Sequence, residues 1–304
     1  MKRFLVILNP KSGQGSGQDA LSTLKSEAEK HDVELEVLTT EGEGDACEFA
    51  RTHGLEDYDA VISIGGDGTL NEVVNGLLRR EDEVKVPLGI LPMGTGNSLM
   101  KDLGCETADD AIQDLFSGKR FDMDAFEAVV DGEPRYGCNM VGCGLPSAVN
   151  HYAEASRAFK SQRYNVGVIK ALCRYTSVGY EFTANDSDKT WISDFILVSN
   201  TQHIGSGIRI APDAELNDGE MDAVVLGDLP KRSLISLFFK LRKGRHMQDS
   251  NVESMRLSSF SIQAPSPQEI NIDGEQVPFT EVSVKVLPQR LQLMHEPAYR
   301  GETS

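Results

Sequence analysis

The chain of 304 residues is 39% hydrophobic and 25% charged, which allows one large domain or two ordinary ones with a buried core and excludes a disordered or fibrous protein. A net charge of −17 argues against general nucleic-acid binding, since a phosphate backbone is gripped by basic stripes. The five cysteines, Cys47, Cys105, Cys138, Cys143 and Cys173, form no CxxC pair and no zinc-type spacing with histidine, and read as reduced structural thiols of a cytoplasmic protein.

The opening MKRFLVILNP is basic and then apolar, like a signal peptide. Its apolar run of about five residues meets Asn9 and Pro10 with no small-residue cleavage site, so it reads as a buried first strand. No apolar stretch approaches the roughly 20 residues of a transmembrane helix. Apolar runs at 4–8, 33–38, 60–64 and 86–91 predict strands, and helical spacing at 19–30, 45–52, 69–80 and 108–116 alternates with them. That βαβα order implies a parallel sheet with helices on its faces. Thr69 and Glu72 form a capping-box pattern that would start the third helix right after a run of glycines. Beyond about Phe121 the texture changes to short alternating runs with turn signals, among them FDMDAFEAVV, WISDFILVSN and EINIDGEQV. Helical inserts are expected there at about 153–175 and 231–243. The fold class expected is a Rossmann-like parallel α/β domain over 1–124, then an antiparallel β-sandwich domain over 125–304 whose C-terminal tail is free to pack back on the first.

In an open parallel sheet, ligands bind beyond the carboxyl ends of the strands. The loops after the predicted strands are NPKSGQGSG, TTEGEGD, GGDGTLN and PMGTGNS, all rich in Gly, Ser, Thr or Asn. Glycine lets the backbone approach an anion, and the helix after GGDG aims free N–H groups and its positive dipole end at the same place. These loops suit a nucleotide's phosphates. A Walker loop is absent, and Gly13, Gly15 and Gly17 are spaced GxGxG where a dinucleotide fold has GxGxxG, with no suitable acid ending the second strand.

The segments NPKSG, GGDGTLNEVVNG, LPMGTGN, IRIAPDAELNDGEMDAVVL and INIDGE, in this order and at about these distances, resemble the diacylglycerol kinase catalytic-domain family. That family includes the bacterial soluble lipid kinases and the sphingosine and ceramide kinases, and shares GGDG with the NAD kinases. The likeness runs from Phe4 to about Leu293. It implies an ATP-binding α/β domain, a β-sandwich domain, and an active site between them. It further implies that Asn9, Pro10, Lys11, Ser12, Gly13, Thr40, Gly65, Gly66, Asp67, Gly68, Thr69, Leu70, Asn71, Gly94, Thr95, Gly96 and Asn97 surround the ATP. By the same likeness Asp67 is an acid that organises Mg2+ and the reacting hydroxyl, and Asp273, Gly274 and Glu275 form the distal catalytic motif, in which Asp273 is catalytic and Glu275 is the implied proton acceptor.

Asp-Gly is also the commonest hairpin signal, and DGE recurs at 131–133, where it reads as a plain turn, and at 218–220. The last lies in LNDGEMD, where the resemblance implies a structural Mg2+ site of Glu215, Asp218 and Glu220, held largely through backbone oxygens plus the Asp218 carboxylate. Oxygen ligands close together in a turn suit a hard cation. One position departs from the pattern. Ser98 stands where bacterial diacylglycerol kinases carry Asp after GTxN, which removes one carboxylate of the implied Asp–water–Mg2+ network and leans towards the sphingoid-base branch.

From Leu229 to Gln248 the chain holds six Lys or Arg and no acid, with Leu234, Leu237, Phe238 and Leu241 at helical spacing. A basic amphipathic helix of this kind lies on an anionic leaflet at roughly 1 kcal/mol per basic residue, or packs its apolar face on the sandwich. A second basic stretch, RAFKSQRYNVGVIKALCRY, walls a lipid pocket or joins the core. The expectation is a cytoplasmic, ATP- and Mg2+-dependent kinase of a lipid hydroxyl, of diacylglycerol type, that touches the inner membrane surface through 231–245; a homodimer is left open. The alternatives are a sphingoid-base or other lipid-alcohol kinase, a soluble-metabolite kinase of the NAD kinase type, and a nucleotide sensor without catalysis.

Overall fold

The computed structural model describes every residue except 83, 95, 106, 157–162, 185–188, 205–206, 228–230, 243–244 and 298–304. The chain divides into two compact units, Met1–Met123 with Gln289–Ser304, and Asp124–Pro288.

In the first unit β1 (Lys2–Leu8), β2 (Val33–Thr39), β3 (Ala60–Gly65) and β4 (Leu88–Pro92) pair in parallel, in the order β2-β1-β3-β4. The helices α1 (Gly17–Lys30), α2 (Asp45–Thr52), α3 (Asp67–Leu78), α4 (Ser98–Asp102) and α5 (Ala108–Phe116) alternate with the strands or follow the last. A parallel sheet covered on both faces must be apolar on both, and every residue from Phe4 to Leu8 and from Ala60 to Gly65 is buried. Leu24, Val73, Val74, Ile112 and Leu115 bring the apolar stripes of the helices into the same core. The chain steps outward from β1 to β2 and then back past β1 to β3. The strand order therefore reverses between β1 and β3, the place where open α/β sheets leave a crevice for ligands.

The capping box does not form. α3 starts two residues earlier than expected, with Gly66 as its N-cap, and the Thr69 hydroxyl accepts instead from Asn9 Nδ2 at 3.0 Å. Glu72 caps a different helix: its carboxylate accepts from the Ala46 N–H in the first turn of α2, at 3.1 Å. A sequence pattern reports spacing, and here a tertiary neighbour offered both side chains another partner.

The second unit is antiparallel. β5 (Phe121–Val130) enters it and turns into β6 (Glu133–Gly137), then come β7 (Met140–Gly144), α6 (Leu145–Glu154) and α7 (Arg163–Arg174). After these run β8 (Tyr180–Ala184), β9 (Lys189–Ser193), β10 (Phe195–Ser199), the short pair β11 (His203–Ile204) and β12 (Ile208–Arg209), and β13 (Met221–Leu226). The chain ends with α8 (Lys231–Arg242), β14 (Val252–Leu257), β15 (Ser259–Ile272) and β16 (Glu275–Leu293). The ladder order is β14-β13-β10-β7-β15-β16, with β8 on β15, β9 on β8 and β5 on β16. Phe126, Phe182, Phe260 and Phe279 fill its core, the Phe182 ring lying 5.6 Å from both Phe260 and Trp191. The first helical insert proves to be two helices, and α6 begins well before residue 153. Pro146 hid that start, because a proline that breaks a helix interior is well placed in a first turn.

Beyond Gln289 the chain belongs to the first unit again. Leu293 of β16 pairs in parallel with Leu88, the Met294 N–H donates to Leu88 O at 2.9 Å, and the Ile90 N–H donates to His295 Nε2 at 2.9 Å. The fully buried His295 ring meets Cys105 and Asp114, the one group of His, Cys and acid side chains that converges among the described residues. Because Nε2 accepts from Ile90, the ring proton sits on Nδ1, facing Asp114 Oδ2 at 3.6 Å and Cys105 Sγ at 3.9 Å. That leaves no ring lone pair for a metal, so the group is a buried clasp. His295, then Lys119 and the Cys105 thiol, hold the Asp114 carboxyl well below the usual range, while burial and Asp114 push the Cys105 thiol up to about 12. A carboxyl lowered by folding stabilises fully above its unfolded value of about 3.9 and loses that contribution only as pH falls further, so the clasp is intact at neutral pH.

Candidate active site

The loops after β1, β3 and β4 are tied to one another at the reversal of strand order. The Asn9 N–H donates to Ile64 O at 2.9 Å, and the Met93 N–H donates to Gly65 O at 2.7 Å. The Lys11 N–H donates to Asn9 Oδ1 at 3.1 Å, and Lys11 Nζ reaches the Glu41 carbonyl beyond β2 at 2.9 Å. The Ser12 N–H donates to Asn9 O, and the Thr40 N–H donates to Leu8 O. Pro10 and Gly13 lie in this same loop.

Asp67 is the latch between two of these loops. Its Oδ2 accepts from the Asn97 N–H at 2.9 Å and its Oδ1 from the Ser98 N–H at 3.0 Å, so the carboxylate of GGDG caps α4, the helix after GTGN. The glycines permit it. A Cβ on Gly96 would stand 2.4 Å from Asp67 Oδ2, and one on Gly66 would stand 3.2 Å from the Gly94 Cα. Asn97, held at φ +45°, folds its carboxamide back on its own loop, accepting from the Gly94 N–H and donating to the Gly94 carbonyl.

Gly66, the N-cap of α3, brings no side chain to its first turn, and a Cβ on Gly68 would meet nothing within 4 Å. Leu70 is buried in the core, and the Asn71 carboxamide oxygen accepts from Asn75 Nδ2, so these two serve the loop by packing. Thr95 lies outside the described residues.

In the second unit, Asp273 and Gly274 both have positive φ, +49° and +97°, and form the two-residue turn of the β15–β16 hairpin. Asp131 and Gly132 make the same turn between β5 and β6, as the plain-hairpin reading has it. The two differ in what surrounds them. The Asp273 carboxylate is buried and accepts from the N–H groups of Cys138, Asn139 and Met140 at 2.7, 3.0 and 2.7 Å, fixing the turn that leads into β7. Glu275, next but one, is half exposed, with the Arg135 guanidinium 3.0 Å from its Oε1. Arg135 lay unremarked in the sequence, since nothing local connects residues 140 positions apart.

The LNDGEMD loop gathers acids. Asp218 accepts from the Glu220 N–H at 3.0 Å and faces Arg256 at 3.4 Å, while the side chains of Glu215, Asp218 and Glu220 do not converge as a group of three among the described residues. Burial pushes the Asp222 carboxyl up to about 6, and the charges of Asp218, Asp213 and Glu220 push the same way against Arg256. The loop thus carries an excess of negative charge that a hard cation would relieve.

Comparison with known proteins agrees with this architecture. The family model described as the diacylglycerol kinase catalytic domain matches residues 3–128, and that of the YegS C-terminal NAD kinase beta sandwich-like domain matches residues 139–295. A protein of Bacillus subtilis named diacylglycerol kinase is 27% identical over 90% of this chain and 90% of its own. Sphingosine kinase 1 of Arabidopsis thaliana is 26% identical over 86% of this chain, which spans 64% of that longer protein. The crystal structure of a Bacillus anthracis protein, provisionally named a diacylglycerol kinase, superposes with a TM-score of 0.79 over 98% of this chain and 96% of its own, at 23% identity, and so shows the fold. With both halves matched in order, the chain belongs to the diacylglycerol kinase catalytic-domain family, a family of phosphotransferases.

Proposed function

We propose that this protein transfers the γ-phosphate of ATP to the hydroxyl of a lipid of the diacylglycerol type. The observation that carries the reading is the Asp67 latch between the GGDG and GTGN loops, at the reversal of strand order. Gly68 and Thr69 at the start of α3 would offer backbone N–H groups to the phosphates, and Lys11, whose Nζ reaches the Glu41 carbonyl, adds a cation at the same edge. Glu275 takes the proton of the acceptor hydroxyl as its oxygen bonds to the γ-phosphorus, while the bond to the β–γ bridging oxygen breaks and ADP leaves. Glu215, Asp218 and Glu220 would hold a Mg2+ through main-chain oxygens and the Asp218 carboxylate, which the local excess of acid fits. That ion would be structural, whereas Mg2+ organised by Asp67 would supply charge neutralisation for the phosphates.

A second reading, transfer to a sphingoid base, is favoured by Ser98, which puts a small hydroxyl where a carboxylate would complete the acid network, and by the name of the Arabidopsis relative. Phosphate transfer from labelled ATP into mixed micelles, each carrying one candidate lipid, separates the two. One lipid is expected to accept phosphate, with Glu275→Gln lowering kcat by about 10²–10³-fold and leaving the ATP KM within about twofold. A Glu275→Gln enzyme as fast as its parent removes Glu275 from the reaction. Bound ATP with no transfer to any lipid turns the reading to a nucleotide sensor.

The membrane contact also stands as a proposal. Residues 155–180 and 229–248 contain no acid in a chain with 47. α7 packs against α8, and each leaves a large apolar side chain in solvent, Ile169 at 63% and Phe239 at 58% exposure, whereas Leu237 is buried. The side chain of Phe238 and residues 243–244 lie outside the described set. No helix among the described residues is long and apolar enough to cross a membrane. The protein is expected to sediment with vesicles containing about 30% anionic lipid and not with zwitterionic ones, and to be released by salt. Equal sedimentation with both kinds would contradict an electrostatic contact.

A further inference from the structure

We propose that α6 aims the base: Asn150, with Ser147, is a positioning residue for Glu275, an inference that rests on the reading of Glu275 given above. Both chain neighbours of Glu275 are fastened to this one helix. Asn150 Nδ2 donates to the Gly274 carbonyl at 2.9 Å, immediately before the glutamate. Ser147 Oγ donates to Gln276 Oε1 at 2.8 Å, and Gln276 Nε2 donates back to the Ser147 carbonyl at 3.0 Å, immediately after it. Residues 147 and 150 are three apart on a helix and therefore share a face. Both are buried, at 3% and 5% exposure, while Glu275 between their partners projects into solvent with Arg135 beside it.

The hairpin does not need these bonds in order to form. Its ladder runs without a break from Gln268↔Phe279 to Ile272↔Glu275, and an Asp-Gly pair with two positive φ angles closes such a ladder unaided. Gly274 donates to Asn271 Oδ1 at 2.7 Å, and Asp273 is anchored to 138–140, so the tip is already folded on its own side. What the α6 contacts add is a fixed direction for the tip, and the group whose direction they fix is the Glu275 carboxylate. The helix is pinned in its turn, since the Leu145 N–H at its start donates to the Asp194 carbonyl at 2.7 Å. Holding a proton acceptor to within a fraction of an ångström is worth more to a rate than to a stability, as a misplacement of about 1 Å costs on the order of 10²-fold.

Asn150→Asp tests this, being of equal size but facing the Gly274 carbonyl with an oxygen; Ser147→Ala is the milder second variant. Each is expected to lower kcat by about 10–100-fold, with the ATP KM within about twofold and the Tm within about 4 °C. Placed in the Glu275→Gln protein, either change is expected to alter the residual rate less than twofold, because no base remains to be aimed. An unchanged kcat in the single variants, or the same loss in the Glu275→Gln background, overturns the inference while leaving the base itself in place. Glu275→Gln at the parent's rate is a separate outcome that removes base and positioning together. Where the double variant is too slow to time, hydrogen exchange decides. Faster exchange in Asn150→Asp confined to the amides around 273–277 supports the aiming role, and exchange spread over the whole second unit shows a merely structural one.

Discussion

Asp67→Ala is expected to lower phosphate transfer by on the order of 10⁴-fold and to weaken ATP binding, a larger loss than any other single change in the nucleotide loops. Two contributions fall together. The carboxylate holds the N–H groups of Asn97 and Ser98, so its removal frees the GTGN loop from the β3–α3 loop and uncaps α4. It also takes away the acid that the family likeness assigns to Mg2+ and the reacting hydroxyl. Asp67→Asn separates the two, because a carboxamide still offers one acceptor oxygen without the charge. A loss of about 10²-fold in kcat with near-normal ATP affinity is expected of it. Calorimetric titration with ATP beside single-turnover rates reads both variants. An Asp67→Ala protein that binds and turns over like its parent would show that the latch has no bearing on the reaction.

For Asp273→Ala the expected loss is in folding before chemistry. Three N–H groups, of Cys138, Asn139 and Met140, lose their buried acceptor at once. At about 1–3 kcal/mol for each buried donor left unsatisfied, discounted because the loop can relax towards water, the cost is about 4 kcal/mol. For a domain of this size that corresponds to a Tm lower by roughly 8–16 °C, and Asp273→Asn, which keeps one oxygen, should fall in between. Calorimetric melting of the three proteins measures it. Coincident melts would mean that Asp273 acts in some way other than the one its hydrogen bonds indicate.

The strands and helices of the first unit were legible because a doubly covered parallel sheet writes unbroken apolar runs between helical periods, and the loops at its carboxyl edge announce themselves by glycine. The DGE triplets were legible as turns but not as different from one another. What distinguishes Asp273 from Asp131 is a buried loop more than 130 positions away in the chain, and no local pattern records that. Asn150, Ser147 and Arg135 were missed for the same reason, each meeting its partner across 124 to 140 positions. Thr69 and Glu72 fit a local rule that tertiary neighbours overruled.

The return of the chain to the first unit also bears on how the protein is made. Ile90 bonds to His295, 205 positions later, and β4 keeps one side without a neighbour until that residue arrives. During synthesis the parallel sheet therefore waits, with an unpaired edge exposed, for the whole of the second unit to emerge. A product cut short anywhere in the sandwich would keep an unclosed edge on β4, so closure of the first sheet depends on a segment made only after the second unit.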